Sequence, residues 1–282
     1  MKIIIKKARF ALVMTLLSWQ IPSLAEPLIL TSPPRESPQA AEQLYGPLAQ
    51  FLSKLTGTEI RYKYPGNWLR YQRDMRRNQF DIIFDGPHFA SWRIKYYDHR
   101  PVAKLPGLLK FYLVARAQDE TIKIPRDLAA KKVCVIPPPN LSSLVLLART
   151  DGPAREPILE AAKGGMKSVF QGLIDGHCEA AMLRASFYHK KLNDQQRAQV
   201  KIIYTSGEMP NQVITVSDRL TPEQQDKIAA SLTSGEGVEV TRNIVTRFAG
   251  KKTKSFVPVK PGEFEGYSDL LEGVILGWKK HQ

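Results

Sequence analysis

The stretch Lys131-Lys132-Val133-Cys134-Val135-Ile136-Pro137-Pro138-Pro139-Asn140-Leu141-Ser142-Ser143-Leu144-Val145-Leu146-Leu147 decides the fold class. Residues 132–136, apolar from Val133 on, read as a buried strand, three prolines stop it, and Asn140 opens an apolar helix through Leu147. The turn between them also carries chemistry. The first N–H groups of a helix lack backbone partners and its dipole favours negative charge. A small anion therefore suits that end, with Asn140, Ser142 and Ser143 as side-chain donors. The plain alternative is an ordinary N-cap, which Asn and Ser provide in many helices that bind nothing.

Outward from this stretch the strand, loop and helix recur. Residues 27–30 read as a strand. Ser37 then caps a helix with Pro38 at its first position, Ala41, Leu44, Leu48, Phe51 and Leu55 at helical spacing, and Gly57 as its stop. A strand at 59–64 follows, then a helix at 67–78 whose Arg70, Arg73 and Arg77 share a solvated face. Residues 80–84 are a strand opening into Asp85-Gly86-Pro87-His88, and 109–115 another strand. A second block adds a helix at 167–174, strands at 178–183 and 201–204, a strand at 213–216, a helix from Thr221 to about residue 232 and a helical tail at 267–278.

This alternation predicts an α/β chain of two lobes, each a mostly parallel sheet flanked by helices, with ligands binding beyond the carboxyl ends of the strands. Five polar positions follow strands: 32–36, 85–88, 137–143, Arg184 and 206–211. Two lobes facing each other bring these to one cleft, which a hinge can close. Arg35 and Arg184 stand out there, because guanidinium forms bidentate pairs with carboxylate or phosphate. Glu36, Asp85 and His88 complete the polar set. Each has a plain reading: Arg35 paired with Glu36, Arg184 as a strand-end ion pair, Asp85 as an Asx-turn residue, His88 as a surface residue. Aromatic residues Trp68, Phe89 and Trp92 either line the cleft or seal a lobe.

Composition narrows the classes. Lys2, Lys6, Lys7 and Arg9 precede an apolar run at 10–17, then Pro22 and Ser23-Leu24-Ala25, the pattern of a leader cleaved after Ala25 for export. Removing residues 1–25 takes away four basic and no acidic residues, so the formal charge of +14 falls to +10. A field of that sign favours encounter with anions. Export and the scattering of basic residues argue against nucleic acid. Cys134 and Cys178 fall in strands that can be neighbours, and a disulfide or two buried thiols both fit. His177-Cys178-Glu179 lacks the paired spacing of a metal site. No cofactor is expected. The nucleophile elbow and Gly-rich phosphate fingerprints are absent, which disfavours the rival reading of an exported α/β hydrolase using His88, Asp85 or Cys178.

The order of elements and several loops resemble the PhnD-type family of phosphate, phosphite and phosphonate periplasmic substrate-binding proteins. The resemblance runs from about Leu28 to Leu271. It rests on Tyr45-Gly46-Pro47-Leu48 through Leu52 with Thr56-Gly57, on Asp81 through Pro87, on Asp127-Leu128 ahead of Lys132-Val133, on Ser142, and on Met209-Pro210. It implies a two-lobed type II periplasmic-binding-protein architecture, with lobe 1 at 26–115 plus 212–282 and lobe 2 at 116–211. It points to Tyr45 and to Ser142 with nearby backbone N–H groups as ligand contacts, and puts Trp68 where an aromatic is common. Tyr45 also shares an apolar face with Ala41, Leu48 and Leu52, so a core role is as well supported.

Two departures point to a ligand other than phosphonate itself. Asn140-Leu141-Ser142 replaces a run of hydroxyl residues, and Ala90 stands where a ligand-facing Tyr is expected. The implied function is a non-catalytic, monomeric, periplasmic receptor that closes on a small anionic solute. Its implied partner is an ABC transporter permease or a sensor histidine kinase. A receptor for a neutral or cationic solute, held by aromatics with Glu36 or Asp85, is a third reading.

Overall fold

In the computed structural model, which describes residues 26–150, 152–275 and 277–279, the chain alternates strand and helix. The expected leader lies outside the described residues. Strand β1 (Leu28–Thr31), helix α1 (Pro38–Thr56), β2 (Ile60–Tyr62), α2 (Trp68–Arg76), β3 (Ile82–Asp85), α3 (Pro87–Tyr97) and β4 (Arg100–Lys104) come first. Short β5 (Leu108–Leu109) leads to β6 (Phe111–Arg116), β7 (Lys132–Val135), α4 (Leu141–Leu147), β8 (Ile158–Ala161), α5 (Met166–Ile174), β9 (Ala180–Arg184), α6 (Ala185–Lys191), α7 (Asp194–Ala198) and β10 (Val200–Thr205). Then β11 (Met209–Pro210), β12 (Val213–Val216), α8 (Pro222–Ser234), α9 (Gly237–Val240), α10 (Arg242–Ala249) and α11 (Asp269–Glu272) follow.

Local chemistry accounts for the helix ends. Ser37 accepts from the Ala40 N–H at the start of α1, Pro38 supplies a pre-set φ, and Gly57 ends the helix at φ 70°. Asn67 caps α2 and Thr221 caps α8 through a reciprocal pair with Gln224.

Two five-stranded sheets result, with orders β2-β1-β3-β12-β4 and β10-β6-β9-β7-β8. In the first, β1 is parallel to β2 and β3, and only the inserted β12 runs against its neighbours. In the second, β7 is parallel to β8 and β9, and only the inserted β6 runs the other way. Each reversed strand is the first main strand after the chain changes lobes. The crossings themselves pair as a small antiparallel ladder, with Met209 opposite Leu109 and Pro210 opposite Leu108.

The hydrogen bonding of β6 differs from the sequence-based division at residues 115 and 116. Phe111–Arg116 lies between β10 and β9, so the outgoing crossing falls at residues 105–110. Pro106-Gly107, with Gly107 at φ 79°, is the turn signal that marks it. An apolar run suits either sheet, and nothing local in residues 111–116 says which one accepts it. Of the helix expected at 267–278, in which residue 276 lies outside the described residues, α11 covers Asp269–Glu272, and the segment packs on both lobes. Tyr267 and Leu270 lie against the second lobe's core, while Leu271 and Trp278 join Tyr71, Phe89 and Leu144. Trp278 accepts from Trp92 Nε1 at 2.9 Å through its carbonyl.

Two bonds hold the lobes internally. Cys134 on β7 and Cys178 just ahead of β9 form a disulfide, against which α5 packs closely through Gly172. In the first lobe, Asp85 and Arg93 are buried and form a bidentate pair at 2.7 and 2.9 Å. Tyr71 donates to Asp85 Oδ2, and Arg93 Nη2 donates to Thr215 Oγ1 at 2.8 Å. This network ties α2, β3, α3 and β12 together. Asp85 is thus committed to structure, which corrects its reading as a ligand group or an Asx turn.

Removing one member leaves a buried, unmatched charge. Arg93→Met should lower the unfolding free energy by about 3–5 kcal/mol in urea denaturation, and a loss near zero would show the network to be dispensable. The disulfide closes a sequence separation of 44. A Cys134→Ala, Cys178→Ala double variant should lose about 4 kcal/mol by the chain-entropy argument, seen as a lower melting temperature that reductant no longer changes.

Candidate functional site

Where the strand-end loops of both lobes meet, a cavity of about 40 Å³ opens. That is room for a compact group the size of a few waters. The first lobe contributes Arg35 from the β1–α1 loop, Trp68 at the start of α2, and Gly86, His88 and Phe89 at the start of α3. The second contributes Pro139, Asn140 and Leu141 at the start of α4, and Arg184 at the end of β9. Gln212 comes from the returning crossing.

Of the ten residues singled out from the sequence, Arg35, Trp68, His88, Asn140 and Arg184 line this cavity. The other five do not. Asp85 is held by Arg93 and Tyr71. Tyr45 is fully buried in the first lobe's core, its ring stacked on Tyr62 at 5.3 Å, as its apolar helix face allows. Burial is the main cause raising its phenol pKa well above the ordinary value. Glu36 ion-pairs with Arg247 at 3.5 Å, not with Arg35. Ser142 gives both its N–H and its hydroxyl to Asn140 Oδ1, at 3.0 and 2.8 Å, and the Ser143 hydroxyl bonds the Ile136 carbonyl. The start of α4 is therefore a self-satisfied N-cap, the plain reading of that segment. Gln212 was not read from the sequence; its position at a crossing has no local signature.

The cavity's charge is set by its arginines. Arg35 Nη1 donates to Gln212 Oε1 at 2.8 Å and its guanidinium lies 5.4 Å from the Phe248 ring centroid. Arg184 Nε is buried without a hydrogen-bond partner. Burial and then the nearby Arg35 charge lower the Arg184 pKa, the direction expected of an unmatched cation. Among the described residues no carboxylate lies within ion-pair distance of either guanidinium. The two come from opposite lobes and repel each other, so an anion between them would remove that repulsion and add charge-assisted hydrogen bonds.

His88 does a different job. It is buried, and its Nε2 contacts the Pro139 carbonyl at 3.1 Å, joining the lobes at the cavity wall. Desolvation, aided by Arg35 and Arg93, pushes its pKa down to about 4 against the opposing pull of Asp85. The ring is neutral at pH 7, so Nε2–H donates to Pro139. Cys178, a nucleophile in the hydrolase reading, is locked in the disulfide. Among the described residues no cluster of three or more His, Cys, Asp or Glu is placed to hold a metal, and no helix is long and apolar enough to cross a membrane.

Comparison with known proteins gives a consistent result. A family model described as ABC transporter, phosphonate, periplasmic substrate-binding protein matches residues 30–264. The phosphate-import protein PhnD of Mycolicibacterium smegmatis is 22% identical over 278 residues, spanning 88% of this chain and 85% of that protein. Among solved structures, XAC2383 from Xanthomonas citri bound to ATP aligns with a TM-score of 0.65 at 14% identity, over 88% of this chain and 97% of its own. PhnD1 from Prochlorococcus marinus in complex with methylphosphonate gives 0.58 at 10% identity, over 87% and 97%. At these identities the two structures speak to the fold.

The buried histidines set an acid limit. His88 and His99 have folded pKa values of about 4 and about 3, below the ordinary 6.5, chiefly through desolvation. Between those values the unfolded chain binds more protons, so stability is full above pH 6.5 and falls as pH drops below it. From pH 7 to 5 each histidine should cost roughly 2 kcal/mol. Urea midpoints should fall over that range, and a His88→Gln, His99→Gln variant should flatten the decline.

Proposed function

The chain belongs to the periplasmic phosphonate substrate-binding family of ABC transporters, and from that premise we propose that it closes on a phosphate- or phosphonate-like oxyanion gripped between Arg35 and Arg184. Members of this family bind and deliver solutes and are not enzymes. The observation that carries the reading is the pair of guanidiniums on opposite lobes, free of carboxylates, at the wall of one small cavity. A tetrahedral oxyanion offers acceptors in several directions, which matches donors arriving from both sides. Asn140 and Gln212 supply amides beside the arginines. The ligands named for the relatives, phosphate, methylphosphonate and ATP, all carry a phosphorus oxyanion.

Closure follows from the same arrangement. With the cavity empty, bringing the lobes together forces two cations toward each other; with an anion bound, the same motion gains two sets of charge-assisted hydrogen bonds. The β5–β11 ladder at the crossings is the natural hinge, because it is the short element through which both connections pass. The closed form then presents the loaded cleft to an ABC importer.

Calorimetric titration with phosphate, methylphosphonate and sulfate tests this. At least one phosphorus oxyanion should bind, and Arg35→Ala and Arg184→Ala should each weaken it by about ten- to hundredfold, the size of a lost hydrogen bond to a charged group. Binding to none of the panel, or an Arg184→Ala variant with unchanged affinity, would reject the reading.

A further inference from the structure

The inner cavity does not end the cleft. Arg184 and Leu109 line both it and a much larger open groove of about 670 Å³. We propose that this groove is a second anion subsite, so that the full ligand carries at least two phosphate-like groups, one in the cavity and the remainder outside it. The proposal rests on the oxyanion reading of the inner cavity and extends it to the ligand's size and charge.

The groove is built from both lobes. Lys190 and Lys191, at the end of α6, form the second lobe's bank; Arg247 on α10 and Lys251 and Lys252 just beyond it form the first lobe's bank. Arg184 sits at the inner end, between groove and cavity. The chain has 27 Asp and Glu residues, yet among the described residues none lines this groove. A solvated surface that served only solubility would intersperse both signs, as the rest of the chain does. Of the six cations, Arg247 alone is matched, by Glu36 at 3.5 Å. Among the described residues the four lysines have no carboxylate within ion-pair distance.

Geometry makes this charge consequential. The cations stand on opposite banks, so lobe closure raises their mutual repulsion just as it does for Arg35 and Arg184. A single phosphate in the inner cavity offsets the inner pair and leaves the outer four lysines facing water and each other. A chain of phosphate groups reaching outward past Arg184 offsets both sets at once. The groove's volume falls in the range of pockets that hold whole organic ligands, of about 300–1,000 Å³, whereas the inner cavity takes only a compact head group.

The full chain titrated with inorganic phosphate and with inorganic tripolyphosphate, at low and at high salt, tests the idea. Tripolyphosphate should bind about tenfold tighter, the combined size of several screened ion pairs, with an advantage that shrinks as salt rises. A Lys190→Ala, Lys191→Ala, Lys251→Ala, Lys252→Ala variant should lose most of that advantage while keeping its phosphate affinity, which also shows that it folds. Arg35→Ala should weaken both ligands. Tripolyphosphate binding no tighter than phosphate, or a quadruple variant that weakens both equally, overturns the groove proposal alone. If neither anion binds the unaltered chain, the inner-cavity reading falls as well.

Discussion

Asp85 ends β3 next to the cavity-lining Gly86, and its partner decides the sign of the charge nearby. Had that carboxylate faced the cavity, it would offset Arg35 or Arg184 and leave little reason for an anion to enter. Instead Arg93 takes both of its oxygens, with Tyr71 and Thr215 completing the network. Burying an ion pair is costly unless every lone pair and proton finds a partner, and here the partners come from two further elements, α2 and β12. The pair anchors the first lobe and, by the same act, leaves the cleft cationic.

That cationic cleft joins structure to function. Like charges on facing lobes repel, and in the proposed function an oxyanion between them removes that cost while gaining charge-assisted hydrogen bonds. The neutral imidazole of His88 adds a contact between lobes that brings no further charge. The C-terminal segment, with Leu271 and Trp278 in a cluster that includes Leu144 of the second lobe, supplies apolar adhesion on the same side. In the proposed closure a polar bond, apolar packing and the ligand's charge act together.

The helix N-terminus at Asn140 shows how a locally attractive site can be used up by its own cap. Asn140 Oδ1 takes two donors from Ser142, and Ser143 turns back to Ile136. The full positive charge at the cavity wall comes instead from Arg35 and Arg184. This fits the departures seen in the sequence, where hydroxyl donors give way to an apolar Leu141 and arginines flank the cleft.

Much of the fold was legible from short-range chemistry. Ser37, Pro38, Gly57 and Asn140 mark helix ends because capping acts within a few residues, and the apolar periods mark strands and helices because one face of each must be buried. Arg35 and Arg184 were legible as cleft candidates because one follows a strand and the other ends one. Sequence by itself thus determined an α/β chain with polar strand ends, a basic balance and two cysteines able to pair. Only the tertiary structure decided that β6 belongs to the second sheet, that Cys134 and Cys178 do pair, and that Asp85, Tyr45 and Ser142 serve the fold. Those outcomes rest on partners far apart in the chain, Arg93 and Thr215 being separated by 122 positions and Arg35 and Gln212 by 177. A buried charge is assigned its role by the groups that surround it in space, and no local pattern encodes them.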